Sequence, residues 1–121
     1  MPWDFRGDAP IYAQVMDQLR LEIVSGALPP GARLPSVREL AAQAGVNPNT
    51  MQRAMAEMER TGLVFSQRTA GRFVTEDETV IQNLRRDLAR TQIRTFLAGM
   101  EQLGFDRAEI AALLEEEGER T

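Results

Sequence analysis

The stretch Ser36-Val37-Arg38-Glu39-Leu40-Ala41-Ala42-Gln43-Ala44-Gly45-Val46-Asn47-Pro48-Asn49-Thr50-Met51-Gln52-Arg53-Ala54-Met55-Ala56-Glu57-Met58-Glu59-Arg60-Thr61-Gly62 decides the fold. Ser36 and Glu39 form a capping box, in which each side chain satisfies a free backbone N–H at the other residue. The helix they open carries an apolar stripe of Leu40, Ala41 and Ala44, and Gly45 stops it. Asn47 is a good N-cap for a second helix. Pro48 suits its first position, where a missing N–H costs nothing. Val46 and Met51 are spaced as a hydrophobic staple. Met51, Ala54, Met55 and Met58 share one face, and Gly62 ends the helix. A helix of about nine residues, a Gly-containing turn and a longer helix have helix-turn-helix spacing.

Upstream, Tyr12, Val15, Met16, Leu19 and Ile23 recur at helical spacing and predict a helix from about Pro10 to Ser25, stopped by Gly26. Leu28 to Pro35 holds three prolines and a glycine and reads as a loop, with Leu28 and Leu34 pinning it to the core. Downstream, Leu63–Gln67 and Gly71–Thr75 are two strand-like runs around Arg68-Thr69-Ala70, which predicts a β-hairpin. Three helices followed by a hairpin make a winged helix. From Glu76 the pattern changes. Val80, Ile81, Leu84, Leu88, Ile93, Phe96, Leu97, Met100 and Leu103 describe one amphipathic helix over roughly 77–103. The step from Leu88 to Ile93 breaks its rhythm, so the stripe is expected to turn there from one packing surface to another. Gly104 ends it. Asp106 with Glu109 then caps a last helix that Phe105 and Ile110 staple, running to about Glu117. The expected fold is thus mostly α with a small β-hairpin. It comprises an N-terminal arm (1–9), a winged helix-turn-helix DNA-binding domain (10–75) and a two-helix dimerisation or effector segment (76–121).

The 121 residues contain no cysteine and no histidine, and all 14 basic residues are arginine. Thiol catalysis, zinc held by sulfur, an imidazole base and a cofactor-binding lysine are therefore excluded. No nucleophile–base pair or carboxylate pair stands out, so no enzyme activity, cofactor or metal is expected. The acidic run Glu115, Glu116, Glu117 and Glu119 reads as a solvated tail rather than a cation site. No apolar run reaches the ~20 residues of a membrane span, and the N-terminus lacks the layout of a secretory signal. A cytoplasmic protein is expected. The formal charge is -4 overall, but residues 10–75 carry +2 and residues 76–121 carry -5. A duplex would attract the first and repel the second.

On a 100° wheel the methionine face of the third helix lies opposite Asn49, Arg53, Ala56 and Arg60, with Thr50 and Gln52 on the flanks. Asn and Gln can pair with adenine and Arg with guanine, so this side suits a recognition helix entering the major groove by its N-terminal end. Arg38, at the second position of the preceding helix, can fork onto a phosphate or a guanine. Arg68 and Arg72 bracket the hairpin tip and suit phosphate or minor-groove contact.

Gly31–Ala41 and Gly45–Ala54 resemble the DNA-binding domain of GntR-type bacterial transcription regulators. The likeness continues through Gly62-Leu63-Val64 and Gly71-Arg72-Phe73-Val74, covering about residues 10–75. The short C-terminal part resembles the YtrA subfamily in length and helix pattern. The resemblance implies that Arg38, Asn49, Thr50, Gln52, Arg53 and Arg68 touch DNA. Asn47 and Gly71 join them in the expected DNA-binding set. The hairpin tip departs from the family's frequent Arg-Gly-Lys-Gly-Thr, being Arg68-Thr69-Ala70-Gly71-Arg72, with Arg72 as the compensating cation. The resemblance also implies a palindromic operator of GT…AC type, near transporter genes in this subfamily.

One helix-turn-helix reads few base pairs, so a two-fold dimer on half-sites ~10 bp apart is expected. The apolar stripe of Ile81, Leu84, Leu88, Ile93, Phe96, Leu97, Met100 and Leu103 is the expected dimerisation surface; the alternative is a helical hairpin within one chain. Two helices cannot enclose a pocket of the usual ~300–1,000 Å³, which leaves an intersubunit cleft as the place for a small-molecule effector. Trp3 and Phe5 either line such a cleft or pack the arm on the helices. The expected function is sequence-specific transcription regulation, as a repressor. The alternative is a winged-helix protein–protein adaptor without specific DNA binding, against which the polar face of the third helix argues.

Overall fold

The computed structural model describes residues 3–120; Met1 and Pro2 of the expected arm and Thr121 of the C-terminal segment lie outside the described residues. The elements are α1 (Ile11–Ser25), α2 (Val37–Ala44), α3 (Pro48–Arg60), β1 (Val64–Gln67), β2 (Gly71–Val74), α4 (Glu78–Gln102) and α5 (Arg107–Arg120). They form two compact units, one ending at Arg85 and the other starting at Arg86.

The first unit is the winged helix. Its core takes Val15 and Leu19 from α1, Leu40 from α2, and Met51, Met55 and Met58 from α3, none more than 1% exposed. Unbranched thioethers suit the irregular space where three helices converge. The capping box at α2 is complete. Glu39 N–H donates to Ser36 Oγ at 3.1 Å, and Ser36 N–H donates to Glu39 Oε1 at 3.2 Å. Gly45 then takes a left-handed conformation (φ 70°) and turns the chain into α3. Asn47 caps α3 by accepting the Asn49 N–H at 2.7 Å. Leu28 and Leu34 do pin the proline-rich loop to the core.

β1 and β2 pair antiparallel, Val64 opposite Val74 and Gln67 opposite Gly71. A third extended segment comes from the loop before α2. Arg33 bridges Phe73, Leu34 N–H donates to Arg72 O at 2.8 Å and Val74 N–H to Ala32 O at 2.9 Å. Trp3 and Phe5 stack with ring centroids 5.8 Å apart and pack on the core. Gln14 ties the arm to α1: it accepts the Arg6 N–H (2.7 Å) and donates to the carbonyls of Arg6 (2.8 Å) and Ala9 (2.9 Å). The start of α4 closes this unit. Ile81 is buried, Val80 and Leu84 pack on the core, and Arg85 donates to Val24 O at 2.9 Å.

The second unit comprises the rest of α4 and α5. Asp106 and Glu109 exchange capping hydrogen bonds at 2.8 and 3.1 Å, and Ile110 is buried. α5 runs to Arg120 rather than stopping near Glu117. Its last turn gains an Arg120–Glu117 ion pair at 3.7 Å and a cation at the negative end of the helix dipole. Ile93, Phe96, Leu103 and Leu114 remain exposed.

Candidate nucleic-acid interface

Three elements of the first unit carry the candidate interface: the start of α2, the outer face of α3 and the hairpin. On α3 the buried methionines turn the other side outward. Asn49, Gln52, Arg53, Ala56 and Arg60 are exposed, and Thr50 is half-buried. Asn47 is exposed too, but its carbonyl oxygen is engaged in the cap, leaving the amide NH2 as its free group.

The arginines of this surface differ in what holds them. Arg53 lies over the Tyr12 ring, 4.5 Å from the centroid, so a cation–π contact from α1 orients it while its guanidinium stays accessible. Arg60 pairs with Glu57 one turn earlier, and that hydrogen bond lowers the Glu57 carboxyl below its ordinary range. Arg72 is paired with Glu59 at the far end of α3. Glu59 also accepts the Ser66 hydroxyl at 2.6 Å. The Ser66 hydrogen bond first, and Arg72 second, hold its carboxyl below the usual carboxylate range. Arg60 and Arg72 are therefore matched within the chain. Arg33, Arg38 and Arg68 make no ion pair among the described residues.

A cleft of about 620 Å³ opens between the start of α2, α3 and the hairpin. Arg33, Arg38, Gln52, Gly71 and Arg72 line it. It brings together four of the residues expected at DNA. Asn49 and Arg53 lie on the adjoining α3 surface, and Arg68 sits at the hairpin turn. Sequence reading missed Arg33, Tyr12 and Glu59. Arg33 stands in a segment that reads as loop, Tyr12 counts as a core position of α1, and Glu59 shows no signal until the hairpin folds beside it.

This arrangement of helix-turn-helix and wing coincides with a known family. Residues 11–74 match the family described as bacterial regulatory proteins, gntR family. The chain belongs to the GntR family. Within it the chain is YtrA-like. The HTH-type transcriptional repressor YtrA of Bacillus subtilis is 32% identical over 104 residues, covering 85% of this chain and 80% of that one. A GntR family transcriptional regulator from Listeria monocytogenes superposes with a TM-score of 0.84 at 38% identity, covering 93% of this chain and 98% of that one. The DNA-binding domain of AraR, solved in complex with operator ORR3, matches with a TM-score of 0.53 at 31% identity over 62% of this chain and 90% of that one.

In this GntR-family chain the expected dimerisation residues divide between the two units. Ile81 and Leu84 lie in or against the winged-helix core. Leu88, Leu97 and Met100 are half-buried, while Ile93, Phe96 and Leu103 are exposed. Among the described residues no helix is long and apolar enough to cross a membrane.

Proposed function

We propose that this GntR-family chain is a sequence-specific transcription repressor that binds an inverted-repeat operator as a homodimer. The observation that carries the reading is the two-sidedness of α3. Its methionines are fully buried, and the opposite face offers Asn49, Gln52 and Arg53 to solvent at the end that would enter a major groove. Asn49, Gln52 and Arg53 read base edges. Asn47, Thr50, Arg38 and Arg68 hold the sugar–phosphate backbone, Arg72 joins them through guanidinium N–H groups other than the Nε–H given to Glu59, and Gly71 lets the hairpin approach. The operator complex of AraR and the repressor name of YtrA support this reading.

The exposed apolar residues of the second unit supply the dimer contact, through Ile93, Phe96 and Leu103 with Leu88, Leu97 and Met100 around them. No partner but DNA and a second copy is needed for this function; an effector, if one acts, binds between subunits. Selection of bound sequences from a random duplex pool tests the reading. It should yield an inverted repeat, bound in a gel shift with affinity that falls steeply as salt rises. Arg53→Ala should weaken binding to that sequence by about 1–3 kcal/mol. Absence of salt-sensitive DNA binding would favour a protein-docking role instead.

A further inference from the structure

Arg33 is an unmatched cation placed by the wing. Its backbone bridges Phe73 at the edge of β2, and its side chain is exposed, with no ion pair among the described residues. The guanidinium lies against Gly71, whose φ of 102° is a conformation L side chains rarely adopt. A β-carbon on Gly71 would stand 3.2 Å from Arg33 Nε and 3.5 Å from Nη2. The bare glycine is thus a flat seat for one edge of the fork, and Nη1 lies farther off.

The same cleft contains Arg38, also unmatched, and Gln52. Arg72 contributes little net charge there, because Glu59 neutralises it. The one carboxylate on the lining, Glu39, accepts the Ser36 N–H. Two free guanidinium groups therefore face a common space that an anion would fill.

We propose that Arg33 is a further DNA contact of this protein, binding a backbone phosphate of the duplex together with Arg38, and that Gly71 acts by seating the Arg33 guanidinium. This rests on the DNA-binding reading above and adds a residue to it. A planar fork held against the chain loses less freedom on binding a phosphate than a free side chain does. Phosphate contact carries no base information, so Arg33 contributes equally on any sequence.

The test uses the full chain on a mixed-sequence duplex, where phosphate contacts dominate, and then on the selected operator. Each phosphate contact contributes about 0.9 to the slope of log K against log salt. Arg33→Gln should lower that slope by about one on both duplexes, with the same fold loss on each at fixed salt. Arg33→Lys, which keeps the charge, should restore the slope. Gly71→Ala should weaken binding by a larger factor in the wild-type background than in Arg33→Gln, the difference being the lost seat of the guanidinium. Wild-type binding with an unchanged slope in Arg33→Gln overturns this inference alone. A loss confined to the operator overturns it too, because it would mark base readout. Wild-type protein that binds neither duplex at any salt overturns the DNA-binding reading, and this inference with it.

Discussion

The winged-helix unit and the segment from Arg86 onward are built from the same kind of helix, yet they treat their apolar side chains differently. In the first unit Met51, Met55 and Met58 are wholly shielded by α1, α2 and the hairpin. In the second, Ile93 is 54% and Leu103 72% exposed. An amphipathic stripe reports only that something must cover it. Where three helices and a ribbon meet, the chain supplies the cover. Where two helices make up the unit, several of these side chains stay exposed, and the cover proposed for them is a second copy.

The contrast can be broken most sharply in the core. Met55→Ala should destabilise the winged helix by about 2–5 kcal/mol, since the cavity it leaves cannot collapse fully. Urea denaturation followed by circular dichroism would measure this, and a loss below about 1 kcal/mol would mean a looser core than described. Phe96→Glu addresses the other region. It should leave the winged-helix unfolding transition in place but weaken self-association by about 2 kcal/mol or more, roughly thirtyfold in Kd. Sedimentation equilibrium would show the shift, and an equally strong dimer would move the contact elsewhere.

The smallest effect concerns Glu59. Its carboxyl is held low in the folded state, so its contribution is present above the unfolded carboxylate range and is lost as pH falls through the folded value. Glu59→Gln should cost about 0.5–1 kcal/mol near neutral pH, and the gap from wild type should close in acid. Denaturation at both pH values would check it, and a gap that widens in acid would contradict the assignment.

Much of the fold was legible because its signals are local. The Ser36–Glu39 box, the Asn47-Pro48 start and the methionine spacing each fix a boundary or a face within a few residues. The wing's third segment was not legible. Leu28 to Pro35 is dominated by residues that forbid helix, and its pairing to Phe73 is a contact between positions forty residues apart in the sequence. The candidate site divides in the same way. The outward face of α3 follows from periodicity, so Asn49, Gln52 and Arg53 could be placed from sequence. That Arg60 and Arg72 are charge-matched could not be read for both. The Glu57–Arg60 spacing was available along one helix, but Glu59 and Arg72 meet only when the hairpin folds back on α3. The sharing of the apolar stripe was only half visible. The break after Leu88 signals a change of surface, but nothing local says that Ile81 and Leu84 belong to the winged helix.

β2 is hydrogen-bonded on both sides, to β1 and to Ala32–Leu34. It is therefore an interior strand in all but name, and its alignment is set from two directions at once. Deleting one residue between Gly31 and Leu34 would demand a one-step slip of that alignment. Because side chains alternate along a strand, such a slip would turn Leu34, buried in the core, to the opposite face of the segment. The length of this short segment is accordingly as constrained as its composition.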